Sequence, residues 1–538
     1  MATAPDLTQP EPLLPAHLRR PARVAALVLI LVVYLGALSP HWLPGNDSAL
    51  YQLLGRSLAR GEGYSLFDKP SAFVPPGFPA LLAAAQRLGV PWPQGFNIMM
   101  LLMALCTIAL AWRLVRAHVG EETALAVLLL FALGSHMHDV SLQLLSDGPF
   151  LLLVMLGLWL WTRWARTGAG PIELGTLALA AAGWMRIVAM PLAVGAAIGL
   201  MLQPVAGRRW RKWANAGGLI LLVAGTMLVF YLRYAGISAT QANVPGYGHH
   251  LTGMASKGVG TVLKGLVEHL YETGEVLPRL MTSQRFPSWI GWIVFGVPML
   301  LGLGLRLAGG WRIGALAVLA YVGAIVLLRQ PIVRYLLPVG PLLVLYWADG
   351  VYTIAWKIVE RMRQARQRED AELAAQTGET PAPSSNDRRM ETQAHLWPLC
   401  LLLMLAILNL PRDARRIFWI HHPDFETVYR GGIRDMRDMA DFLEQQPSGT
   451  RFLSATNGFV LALWSGRDST AVSKTLLRQP DAPDRLAELL RQEDIRLLIF
   501  EPGNEPPAFT EFRLREGARG RLTQRFRSGE MVAYEYRP

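Results

Sequence analysis

A chain of 538 residues that is 52% hydrophobic and only 17% charged, with a mean hydropathy of +0.27, has too little polar surface to cover a water-soluble globule. Lipid must serve as part of its solvent. The formal net charge of +12 would ordinarily raise nucleic acid as a partner, but the basic residues fall between apolar runs and form no single stripe, so they mark topology and exclude a nucleic-acid surface.

The N-terminal tail, residues 1–23, ends in Arg19, Arg20 and Arg23. Apolar runs then recur at 24–39, 96–112, 123–134, 148–164, 172–185, 187–202, 216–231, 289–305, 313–328, 332–348 and 396–410, which predicts a polytopic α-helical protein with about eleven membrane helices, several of them short for a bilayer. Arg19, Arg20 and Arg23 ahead of the first span place the N-terminus in the cytoplasm, and the basic clusters at Arg113 and Arg116, Arg163 and Arg166, 208–212, Arg306 and Arg312, and 357–368 all fall in loops that the alternation of spans puts on that same side. An odd number of spans then puts the loops 41–95 and 234–288, and everything after Leu410, on the opposite face. Cys106 and Cys400 each lie within an apolar run and are expected to be buried packing residues; the exported tail, having no cysteine, has no disulfide framework.

The first loop, GNDSALYQLLGRSLARGEGYSLFDKPSAFVPPGFP from Gly45 to Pro79, is the most informative stretch. Leu50, Leu53, Leu54 and Leu58 share one face of an amphipathic helix that Gly61 ends, so the helix is expected to lie along the interface. Asp47 at its start is either a helix cap or a reactive carboxylate. Asp147 opens the fourth span and has the same two readings, Ser146 to Pro149 being a sound helix start. Arg186 lies between two apolar runs with no room for a long loop, and Arg334 about one turn into the tenth span, where each either clamps an anion or snorkels to the interface. Tyr335 either donates to that anion or joins an aromatic belt.

The 234–288 loop has a glycine-rich stretch followed by a more helical 262–270, a segment suited to closing over a ligand or to passive connection. Residues 351–395 form a cytoplasmic linker, polar and proline-containing over 369–393 and expected to be partly disordered. A last span, 396–411, leads to a small α/β domain over 412–538. In it Ile433, Met436, Met439, Ala440 and Leu443 make a helical stripe, a helix over 483–492 is capped by Asp481 or Asp484, strands run at 451–455, 495–500, 522–527 and 531–536, and Gly529 turns the last hairpin. That domain has no nucleophile elbow, phosphate loop or metal spacing, which favours a lid or acceptor-docking platform.

Taken in order, the first-loop segment, LQLLSDGPFLLL around Asp147, GWMRIVAMP around Arg186 and RQPIVRYLLPVGPLLVL around Arg334 and Tyr335 resemble the motifs of lipid-dependent membrane glycosyltransferases of the C-type (GT-C) fold, and more narrowly the protein O-mannosyltransferase and lipid A aminoarabinose transferase group. The resemblance covers most of residues 24–350 and, more loosely, the tail. It implies a bacterial inner-membrane enzyme with a periplasmic site and a polyprenyl-phosphate-linked hexosyl or pentosyl donor. Its acceptor would be an envelope glycan, lipid or protein. This chain has Asp68, Lys69 and Pro70 where the aminoarabinose enzymes carry glutamate, lysine and proline, and Asn46 with Asp47 where they carry paired acids, so the resemblance conveys the donor class and not the sugar.

Such a donor already carries a stabilised leaving group, so transfer needs a base for the acceptor and cations for the departing phosphate. Asp47 is the candidate base, Asp147 an assistant to the acceptor or a metal, and Lys69, Arg186, Arg334 and Tyr335 the phosphate ligands. A single displacement would invert the anomeric carbon. Histidines at 136 and 138 beside Asp139, at 249 and 250, and at 421 and 422 ahead of Asp424 allow a bridging divalent ion, although adjacent histidines are no ligand spacing and surface polarity accounts for them. The alternative function is a transporter or flippase of lipid-linked intermediates, which should show internal repeats and broken spans; no convincing repeat is present. A third reading, a non-catalytic envelope-assembly protein, would make the first loop dispensable.

Overall fold

The structure, a computed structural model, describes residues 15–39, 41–43, 45–67, 69–71, 74–238, 259–282, 284–327, 333–377, 385–422, 433–454, 458–470, 481–501 and 506–537. Asp68, His249, His250 and Asp424 lie outside them.

Among the described residues six helices are long and apolar enough to cross a membrane, or seven if the bent pair Glu121–Ala132 and His136–Leu142 is one span. Three shorter apolar helices, Ile172–Met185, Ala189–Leu202 and Arg312–Leu327, pack among them. The chain is therefore a multi-pass helical membrane protein. Its largest core is built from side chains that sequence patterning alone makes apolar on every side, such as Trp161, Trp164, Tyr321 and Trp347. Leu221, Leu228, Leu300 and Leu319 stay exposed, as a lipid-facing surface requires. Cys106 and Cys400 are exposed as well, contrary to expectation. In lipid an apolar side chain need not turn inward.

Part of the expected linker is helical, residues 378–384 lying outside the described ones. The helix Gly340–Thr377 runs on through KIVERMRQARQREDAELAA, and another begins at Ser385. Glutamate, arginine, glutamine and alanine at helical spacing propagate a helix without needing a core.

The tail forms a five-stranded sheet. Two short paired strands precede it in the first loop, β1 (Ser65–Leu66) and β2 (Lys69–Pro70). The sheet itself holds β3 (Arg451–Ser454), β4 (Asp468–Thr470), β5 (Leu497–Phe500), β6 (Leu522–Ser528) and β7 (Met531–Tyr536) in the order β4-β3-β5-β7-β6. β3 is parallel to β4 and β5, whereas β7 is antiparallel to both of its neighbours. All four residues of β5 are buried because helices cover both faces: Ala482–Gln492 and Pro507–Ala518 on one, Ile433–Glu444 and Gly458–Ser465 on the other. Gly529 turns the β6–β7 hairpin at φ +53°. Asp481 occupies the N-cap position of its helix, but its side chain makes no capping hydrogen bond and pairs with Arg485 instead, while Asp484, in the first turn, pairs with Arg515.

This domain docks on the first loop. The helix Asn46–Arg60 is held between Gly77–Arg87 on one side and Gly458–Ser465 on the other, burying Ser48 to Gln52. Trp42 packs edge-on against Trp464 at 5.5 Å, and Arg56 donates to the Leu463 carbonyl at 3.4 Å.

Candidate active site

Four elements from distant parts of the chain meet beside that docked helix. Asp47 stands in the first turn of Asn46–Arg60, where the helix dipole favours a carboxylate, but it is not the cap: Gly45 holds that position and no side chain caps the helix. The carboxylate instead accepts from Arg334 Nη2 at 2.9 Å.

Arg334 lies in a short helix, Val333–Leu336, followed by a tight turn over Leu337–Val339 and then Gly340–Thr377. It thus stands in the first turn of the candidate span Val333–Glu372, ahead of the continuous α-helix that begins at Gly340. Pro338 cannot donate to the carbonyl four residues back, which is that of Arg334, and the break follows. Arg186 is extended at φ −150°, between Ile172–Met185 and Ala189–Leu202. Asp147 opens the helix Asp147–Thr167.

These side chains converge. Arg186 pairs with Asp147, and Arg334 reaches Asp147 at 3.6 Å while holding Asp47, so one guanidinium links both acids. The Tyr335 ring lies 4.8 Å from the Arg186 guanidinium and 5.7 Å from that of Arg334, within cation–π range of each. Side-chain exposure rises from 1% at Asp147 and 8% at Arg186 to 31% at Arg334 and 52% at Asp47. The cluster has a closed floor and an open rim.

Its buried charges are neutralised but not saturated. Both Asp147 oxygens, Arg186 Nη1 and Arg334 Nε lack an aligned hydrogen bond despite their ion pairs. A buried polar atom left in that condition is costly, and a ligand supplying donors or acceptors would relieve it.

Small residues bring the elements together. A Cβ on Gly77 would come within 2.6 Å of the Trp184 carbonyl, so only glycine lets the PPGFP turn seat against the approach to Arg186. A Cβ on Gly148 would strike Met100 at 2.5 Å. Three residues beside the cluster were given no role at the site by the sequence, although Tyr51 and Ser146 lie within the motifs around Asp47 and Asp147. Tyr51 and Ser146 join their hydroxyls at 2.9 Å, and burial pushes the Tyr51 hydroxyl up to about 12 although Arg186 pulls the other way. Tyr321, fully buried, interacts electrostatically with Arg186 and Asp147, and its hydroxyl has no hydrogen-bond partner among the described residues.

Lys69 is placed elsewhere. Its ammonium donates to both oxygens of Glu493 in the tail domain, at 2.7 and 2.9 Å, and Arg451 shares that carboxylate at 3.1 Å. Among the described residues no group of three or more His, Cys, Asp or Glu side chains could hold a metal ion. His136 faces Asp139, His138 faces Asp413, and His421 contacts the Gly36 carbonyl.

No protein-family model matches this chain, and no curated protein matches it by sequence. Solved structures do. ArnT from Cupriavidus metallidurans in the apo state is similar at a TM-score of 0.50 and 14% identity, over 96% of this chain and 98% of that one. The archaeal oligosaccharyltransferase AglB from Archaeoglobus fulgidus, in complex with an inhibitory peptide and a dolichol-phosphate, is similar at a TM-score of 0.52 and 12% identity, over 89% of this chain and 69% of that one. Both are glycosyltransferases of one architecture, and the membrane bundle described above has their GT-C fold.

Proposed function

We propose that the protein is a membrane glycosyltransferase that moves a sugar from a polyprenyl-phosphate donor to an envelope glycan, lipid or protein on the periplasmic side of a bacterial inner membrane. The observation that carries this reading is the convergence of Asp47, Asp147, Arg186, Arg334 and Tyr335, drawn from four separate elements, into one cluster with an open rim. The dolichol-phosphate bound by AglB supports a lipid phosphate as the donor class.

Charge exchange gives the cluster a chemistry. Two acids and two arginines balance in the resting site, and an arriving phosphate competes with Asp47 for Arg334. Asp47, freed at the rim, then accepts the proton of the acceptor hydroxyl. The acceptor oxygen bonds to the anomeric carbon from the face opposite the phosphate, the bond from carbon to phosphate oxygen breaks, and its electron pair leaves with the polyprenyl phosphate, which Arg186 and Arg334 stabilise. Configuration inverts because one displacement occurs. Asp147, at the floor, positions the two guanidiniums, a role that replaces the expected assistance to the acceptor.

The test supplies the purified chain with a panel of polyprenyl-phosphate sugars and compares it with Asp47→Asn. Loss of turnover with donor binding retained supports the assignment. Undiminished turnover in the variant removes Asp47 from the reaction, and no turnover of any donor by the native chain removes the function.

A further inference from the structure

A second cationic site lies apart from the cluster. The helix Val259–Thr282 ends near the start of Ser288–Ala308, and the span Leu396–Ile420 passes beside them. Between these segments is a cavity of about 360 Å³ that Arg279, Arg285 and Arg412 line together with His136, Gln284 and Asn409. No carboxylate lines it, and none of the three guanidiniums forms an ion pair among the described residues. Asp139, the acid adjoining His136, is already held by His136 and Arg416.

This is the reverse of the Asp47 cluster, where each arginine has an acid. Three like charges facing one cavity repel, and arginines that merely snorkelled would splay toward separate water. An anion with several acceptor oxygens reverses the sign of that energy, and guanidinium geometry suits phosphate.

The surroundings indicate how such an anion arrives. Leu408 lines the cavity, and Met404, Ile407 and Leu408 leave an exposed apolar stripe along the last span leading to it. Trp289, also exposed, begins the neighbouring span, as interfacial tryptophans do. A hydrocarbon chain along that stripe would place a phosphate among the arginines.

We propose that Arg279, Arg285 and Arg412 bind a phosphate group presented by an anionic lipid, at a site separate from the Asp47 cluster. The test titrates the full-length detergent-solubilised chain with phosphatidylglycerol, phosphatidylcholine or inorganic phosphate and counts adducts by native mass spectrometry. The native chain should retain phosphatidylglycerol over phosphatidylcholine, and R279Q/R412Q should bind it at least ten-fold more weakly. Displacement by inorganic phosphate in the millimolar range confirms that the phosphate group is what is held. Inorganic phosphate binding without phosphatidylglycerol binding overturns the lipid source, and phosphatidylglycerol binding equal in native and variant chains overturns the site. Should the double variant fail to fold, Arg285→Gln, at an exposed position, makes the same comparison. Arg334→Gln must leave the adduct unchanged; its loss there would mean a single shared site. This readout needs no turnover, so its failure and that of the proposed reaction are distinguishable.

Discussion

Two buried arginine–aspartate pairs stand at opposite ends of the helix Gln94–Arg116, and they differ in one respect. At the end near Met100, Arg186 and Asp147 are paired but keep unaligned polar atoms and an opening toward Arg334 and Asp47. At the other end Arg306 donates to both oxygens of Asp349, at 2.6 and 2.7 Å, and to the His118 carbonyl at 3.0 Å, with His118 stacked on Trp311 at 3.6 Å. The same two residue types thus make a closed clasp in one place and an unfinished pocket in the other. Burial alone does not mark a site; unspent hydrogen-bonding capacity facing an opening does.

That contrast can be broken by experiment. The largest effect is expected from Asp47→Asn, which should lower turnover by about 10²–10⁴-fold, the usual contribution of a general base, while leaving thermal unfolding nearly unchanged. Equal loss of stability would move Asp47 to the structural class. Next, Asp349→Asn should cost about 3–5 kcal/mol because it leaves Arg306 buried and unpaired, and a depressed unfolding midpoint with donor turnover per folded molecule intact is the expected record. A selective loss of turnover would show that the clasp is part of the reaction.

Arg186→Gln sharpens the comparison, since it removes a ligand and a clasp at once. It should weaken binding of the polyprenyl-phosphate donor by about 1.5–3 kcal/mol, the value of a hydrogen bond to a charged group, as measured by the donor dissociation constant. The smallest effect is expected at the tail domain: Glu493→Gln, which removes a partly exposed pair with Lys69, should shift stability by less than about 1 kcal/mol in thermal unfolding. A larger shift would make this contact a principal anchor of the tail.

Much was legible in the sequence for reasons of local physics. The apolar runs, the hairpin at Gly529 and the mixed helix-and-strand character of the tail follow from periodicity and backbone preference, which neighbours hardly alter. Asp47, Asp147, Arg186 and Arg334 were each conspicuous because charge at the edge of an apolar run is expensive. Tyr51, Ser146 and Tyr321 were not, because a hydroxyl within a helix is ordinary until something charged stands beside it. The helical reach to Thr377 was not legible, because a polar run without an apolar stripe has no periodicity to mark it, although its residues favour helix.

Composition and spacing by themselves determined that this chain lives in a membrane, where its helices run and which charges are out of place. Only the tertiary structure decided which charges meet: it paired Lys69 with Glu493, joined Asp47 to Arg334 across 287 positions and gathered Arg279, Arg285 and Arg412 around one cavity. Periodicity reports the face on which a side chain lies, whereas the partner it finds depends on close packing between segments that the linear order keeps far apart.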